Sequence, residues 1–199
     1  MTDGTDCTEL LKNASFAAED GWTKQPGVTF PTNGNPVGEG PNMLFDISQN
    51  LTGLQNGLYE FTVNAAYLAA DYSALTGEED YKAYVYINGY EEKMNSVLDF
   101  PSDTLVHSSD YDYTGKGFVP NSSEGAYAAF QLGRYKQTVY GLVTDGTMKV
   151  GLRNDLRYAD GSRAWWTNAN LIFRAKNVEI LAEVIATTIP DADALLANK

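Results

Sequence analysis

The residues able to make and break bonds are few. The chain holds one histidine, His107, and one cysteine, Cys7. A transition-metal site built from protein ligands alone is therefore not expected, nor is an internal disulfide; Cys7 reads as a small apolar residue of the first strand. There is no G-x-S-x-G turn, P-loop, G-x-G-x-x-G behind a strand or H-E-x-x-H helix. A glycoside hydrolase needs only two carboxylates across a cleft, and Asp110 with Asp112, or Glu78, Glu79 and Asp80, would be the candidates. These stand in charged loop runs that ordinarily face water, so the chain reads as a non-enzyme. Calcium needs only oxygen ligands, but Asp110-Tyr111-Asp112 lacks the glycine and distal glutamate of an EF-hand. No cofactor is expected, a structural calcium being the one ion the acidic loops leave open.

Aromatic side chains are the chemistry that remains, at 12% of residues. Trp22, Tyr72, Tyr111, Tyr113 and Phe118 fall in segments without strand periodicity. A flat ring can lie against the apolar C–H face of a sugar while Asn, Asp or Arg nearby bond its hydroxyls. Tyr59, Tyr84, Tyr86 and Tyr140 lie in strand patterns and read as core packing. The stretch 164–173, AWWTNANLIF, sets two tryptophans side by side. In a regular strand they point to opposite faces. Trp165 then joins Thr167, Ala169, Leu171 and Phe173 in the core, and Trp166 joins Asn168, Asn170 and Ile172 outside. A tryptophan beside two asparagines has the composition of a polyol-binding surface. The competing reading has the C-terminal helix or a loop cover Trp166, which Ile172 favours. The candidate carbohydrate-binding set is Tyr72, Tyr111, Tyr113 and Trp166, with Arg163 and Asn168 supplying hydrogen bonds.

The elements that must carry these residues are strands. A chain of 199 residues, 43% apolar, suits one packed domain with at most a small appendage. Period-2 segments run from about residue 8 to residue 174, punctuated by Asn56-Gly57, Asn88-Gly89 and Asp145-Gly146. Met148, Val150 and Leu152 alternate with Lys149, Gly151 and Arg153, giving one buried and one wetter face. The expected fold is all-β, an antiparallel β-sandwich over residues 1–176, with no long helix between its strands. Residues 71–80 and 100–125 interrupt the pattern as long loops, which tend to carry function. From Asn177 onward the grammar is helical: Val178, Leu181 and Ile185 share a face and Pro190 ends it. Residues 177–199 thus read as a helix and linker toward a missing downstream region.

Charge narrows the partners. The net charge of −12 repels phosphate backbones and anionic lipid, so neither nucleic acid nor a membrane surface is an expected partner. No run of about 20 apolar residues could span a bilayer.

Several segments resemble a known family. LLKNASF…GWT (10–23), FDISQNLTGLQNGLYEFTV (45–63) and FVPNSSEGAYAAFQLGRYKQTVYGLVTDGTMKVGLR (118–153) resemble, in order and spacing, galactose-binding-domain-like jelly-roll modules of Bacteroides-type exported polysaccharide-processing proteins. The resemblance covers nearly all of residues 5–174. It implies a jelly roll and a non-catalytic carbohydrate-binding or polysaccharide-attachment module of a larger protein, located outside the cell, at its surface or in the periplasm. Its partners would be a poly- or oligosaccharide and the other domains of the parent chain; a spacer or protein-interaction module without a glycan ligand is the alternative. Two positions depart from the pattern. Ala17 and Thr167 stand where relatives often carry acidic residues that contribute to a structural calcium, which speaks against calcium there.

Overall fold

The computed structural model describes residues 1–31 and 37–174; the helix expected from Asn177 onward lies outside the described residues. The strands are β1 (Thr5–Asp6), β2 (Gly38–Pro41), β3 (Phe45–Thr52), β4 (Gly57–Leu68), β5 (Ala83–Ile87), β6 (Tyr90–Lys93), β7 (Tyr111–Tyr113), β8 (Gly117–Val119), β9 (Lys136–Val143), β10 (Thr147–Asn154) and β11 (Arg163–Arg174), with one α-helix, α1 (Ser123–Gln131).

Two antiparallel sheets form the body. One runs β1-β11-β4-β9, with β2 also paired to β11, and the other runs β3-β10-β5-β6. Setting aside β1 and the small β7–β8 hairpin, the eight remaining strands lie first-eighth-third-sixth in one sheet and second-seventh-fourth-fifth in the other. That is the strand order of a jelly roll, and it confirms the expected sandwich. The Asn88-Gly89 turn closes a hairpin, with Ile87 opposite Tyr90. The Asn56-Gly57 and Asp145-Gly146 turns instead carry the chain from one sheet to the other.

The core lies between the sheets. Met148, Val150 and Leu152 are buried as the alternation predicts, against Phe61, Val139, Ile87 and Phe173. The edge where β9 faces the β5–β6 hairpin is closed by amide side chains. Gln137 donates to the Lys93 carbonyl and accepts from Asn95 N–H at 2.9 Å, and Asn88 donates to the Leu142 carbonyl at 3.3 Å.

Three expectations are corrected. Tyr84 and Tyr140 are not core residues: both are only half-buried, Tyr84 on the outer face of β5 beside Arg153. Tyr86 is buried there beneath Lys149 and Arg153, its hydroxyl donating to Asp46. Tyr59 is a core residue, its hydroxyl donating to the Gln55 carbonyl at 2.9 Å. Trp22 is no surface ring; it stacks on Phe16 at 4.3 Å and its indole N–H donates to the Asn13 carbonyl. Lastly, residues 100–125 are not all loop, since they contain β7, β8 and the start of α1.

The tryptophan pair is settled by a β-bulge. Thr167 pairs with Asn64 and Ala169 with Val63, leaving Asn168 unpaired with φ +51°. One inserted residue exchanges the faces of everything before it. Trp166 therefore shares the inner face with Ala169, Leu171 and Phe173, and its ring meets Phe45 of the opposite sheet at 5.5 Å. Trp165 turns to the outer face, where α1 packs on β11. Both tryptophans are fully buried.

Candidate functional site

Strands β4, β6 and β10 all run out at one end of the sandwich, and the loops that follow them meet there. Tyr67 near the end of β4 donates its N–H to the Asn95 carbonyl at 2.8 Å and stacks on Tyr81 at 4.6 Å. Asp71 N–H reaches the Asp160 carbonyl at 3.3 Å. This end carries three of the six candidate residues as a group.

Tyr72 and Tyr111 come together, their ring centroids 4.2 Å apart and tilted by 30°. Tyr72 is 40% exposed and Tyr111 half-buried. Tyr113 follows on the same hairpin, its hydroxyl donating to the Leu75 carbonyl at 3.3 Å and its face lying under the Lys116 ammonium. The tyrosines belong to different loops, so each loop must be held in place.

The first anchor is the start of α1. Ser122 caps the helix by accepting from Gly125 N–H at 3.1 Å. Its hydroxyl also bonds Ser109 Oγ at 2.6 Å, which bonds His107 Nδ1 at 2.7 Å. Asp110 Oδ2 accepts from His107 N–H at 2.8 Å and from Val106 N–H. His107 and Asp110 Oδ2 thus fix the turn that delivers Tyr111. The second anchor is Ser102, which pairs with Phe118 through bonds of 2.8 and 2.7 Å. Gly117 makes this approach possible, since it has φ +116° and a Cβ there would stand 2.5 Å from the Ser102 carbonyl oxygen.

The loop that carries Tyr72 goes on to line a cleft of about 290 Å³, whose lining includes Gly77, Glu79, Tyr81, Lys93, Leu98 and Asp99. Burial pushes the Tyr81 phenol far above its ordinary value, so it stays protonated and donates to the Met94 carbonyl at 2.6 Å. Burial works to raise Glu79 too, but bonds from the Thr76 and Gly77 N–H groups outweigh it and hold that carboxylate below its ordinary range. Asp99 Oδ2 accepts from Ser96 N–H at 2.7 Å.

The other candidates do not join this group. Arg163 lies at the same end, opposite Leu68, but its guanidinium is directed to the Gly161 carbonyl and the Glu39 carboxylate. Trp166 cannot contribute surface, being buried between the sheets. Asn168 is exposed, but as the bulge residue midway along β11. Nothing in the sequence marks Lys93 or Asp99 as a site residue, because Lys93 is one charge on a hairpin strand and Asp99 stands in an unpatterned turn. Among the described residues no three His, Cys, Asp or Glu side chains gather as metal ligands, and no helix is long and apolar enough to cross a membrane.

No protein-family model matches the chain, and no curated protein matches it. Among solved structures it is similar to TmCBM61, a carbohydrate-binding module, in complex with beta-1,4-galactotriose. The two are 15% identical, with a TM-score of 0.44, over 83% of this chain and 97% of that one.

Proposed function

We propose that this jelly roll is a non-catalytic carbohydrate-binding module of a larger exported protein, which it serves by attaching a polysaccharide outside the cell, at its surface or in the periplasm. The observation that carries the reading is the Tyr72–Tyr111 pair: two rings from separate loops, held 4.2 Å apart at the rim of the sandwich with Tyr72 40% exposed. Leaving such rings wet is costly unless a ligand with an apolar face covers them. The charge of −12 suits a neutral ligand better than an anionic one. Glu79, though it faces Asp99 across a cleft, is held ionised, which suits it poorly to act as a general acid.

The burial of Trp166 removes one ring from the expected surface and favours the second reading, a spacer or interaction module. Affinity electrophoresis on galactan, xylan, arabinan, mannan and mixed-linkage glucan separates the two. Retardation by at least one of these is expected, with Tyr72→Ala and Tyr111→Ala each weakening it about tenfold. A chain that migrates freely through all five is a spacer.

A further inference from the structure

We infer that the cleft between residues 76–81 and 93–99 is a subsite for a neutral sugar ring of a carbohydrate chain. The inference rests on the carbohydrate-binding reading and adds to it the place and the mode of recognition.

Size comes first. A cleft of about 290 Å³ stands at the small end of ligand pockets, which run from roughly 300 to 1,000 Å³. It has room for a pyranose ring.

The polar groups then select the ligand. The Lys93 ammonium lies 4.1 Å over the Tyr81 ring, and its hydrogen-bond contact is the Glu79 carbonyl at 3.5 Å, not a carboxylate. Its remaining protons are available as donors. Asp99 spends Oδ2 on Ser96 N–H, which leaves Oδ1 as an acceptor. A charged donor and a charged acceptor line this one cleft, so a ligand's hydroxyls can donate to the carboxylate and accept from the ammonium. Charge-assisted bonds of this kind are the stronger class. A sugar acid would meet two carboxylates, Glu79 and Asp99, against one ammonium, so the neutral ring is preferred.

The floor is rigid. Tyr81 is stacked on Tyr67 and bonded to the Met94 carbonyl, so little conformational freedom is lost on binding. One loop builds both parts of the site: it carries Tyr72 at its start and Gly77 and Glu79 at the cleft, and Tyr113 holds it between them at the Leu75 carbonyl.

The test uses the whole chain and, as probes, D-glucose, D-galactose, D-mannose and D-xylose by saturation-transfer NMR, followed by calorimetry with short oligosaccharides of whichever polysaccharide retards it. At least one free sugar is expected to receive saturation. Lys93→Met and Asp99→Asn, each checked for an unchanged melting temperature, are expected to weaken the oligosaccharide about tenfold or more. If the polysaccharide is bound but neither substitution matters, the subsite is wrong while the carbohydrate reading stands. If no polysaccharide or sugar is bound, both fall.

Discussion

The indole of Trp166 fills the space that a side chain at Gly38 would need: an ideal Cβ there would stand 2.2 Å from Nε1 and 2.4 Å from Cε2. The two residues face each other across the β2–β11 ladder, and the ring is held from the other sheet by Phe45. Neither partner is free to withdraw. Gly38→Ala is therefore expected to lower stability by about 1–3 kcal/mol through overpacking. Urea unfolding followed by tryptophan fluorescence measures it. A change under half a kcal/mol would mean the indole has another place to go.

Asn168 carries the bulge that swaps the two tryptophans, and its φ of +51° is a conformation asparagine and glycine tolerate and β-branched residues do not. Asn168→Gly is expected to be nearly neutral. Asn168→Val is expected to cost about 1–3 kcal/mol from backbone strain. Deleting Asn168 is a different experiment: it joins Thr167 directly to Ala169, which removes the extra residue and keeps Trp166 inward and Trp165 outward, so the deletion is expected to fold cooperatively. Melting curves of the three variants rank them, and a deletion that unfolds without cooperativity would contradict the face exchange.

This bulge also marks where the sequence stopped being legible. The alternation of Met148, Val150 and Leu152 is strong because each inward residue is apolar and each outward neighbour polar or small, and the sheets follow from many such runs. Around residue 168 the polar–apolar pattern continues unbroken in either register, so a single inserted residue leaves no trace beyond asparagine's taste for left-handed backbone. Helix α1 left a clearer signal, a Ser122 cap before Ala126, Ala129 and Phe130 at helical spacing, hidden within a serine- and glycine-rich segment. Loop aromatics could be proposed as surface one at a time. That Tyr72 and Tyr111 would touch, and that Lys93 and Asp99 would line a cleft with Glu79, depends on how three loops meet, which no local pattern encodes.

Gln137 closes the seam between β9 and the β5–β6 hairpin with one amide that serves both the Lys93 carbonyl and Asn95 N–H. It is 7% exposed, so water cannot easily replace it. Gln137→Ala leaves two backbone groups without partners and is expected to cost about 2–3 kcal/mol. Gln137→Glu keeps the acceptor for Asn95 but faces the Lys93 carbonyl with a second acceptor, and is expected to be no better than alanine at neutral pH. Hydrogen exchange locates the damage: the Asn95 amide is expected to lose protection in the alanine variant while amides at the centre of β4 keep theirs.

Glu39 gives stability a pH dependence of unusual sign. Burial is the chief cause that raises its pKa, with Glu124 of α1 adding to it, while the Arg163 guanidinium and the Trp165 indole N–H act in the opposite direction. The indole N–H faces this carboxylate without reaching full hydrogen-bond geometry. A carboxyl whose folded pKa exceeds its unfolded one binds more protons in the folded state, so its contribution is complete below the unfolded value of 4.5 and is lost as pH rises through the folded value. Carboxylates held low, such as Glu79 and Asp145, act the other way and lose their contribution as pH falls. Glu39→Gln removes only the first kind. Relative to the parent, the variant is expected to gain stability as pH is raised from 4 toward 7, the difference levelling once Glu39 is ionised in the folded parent. Urea midpoints taken at half-unit pH steps measure that difference, and a difference constant across the range would show that Glu39 titrates normally and that Arg163 fully offsets its burial.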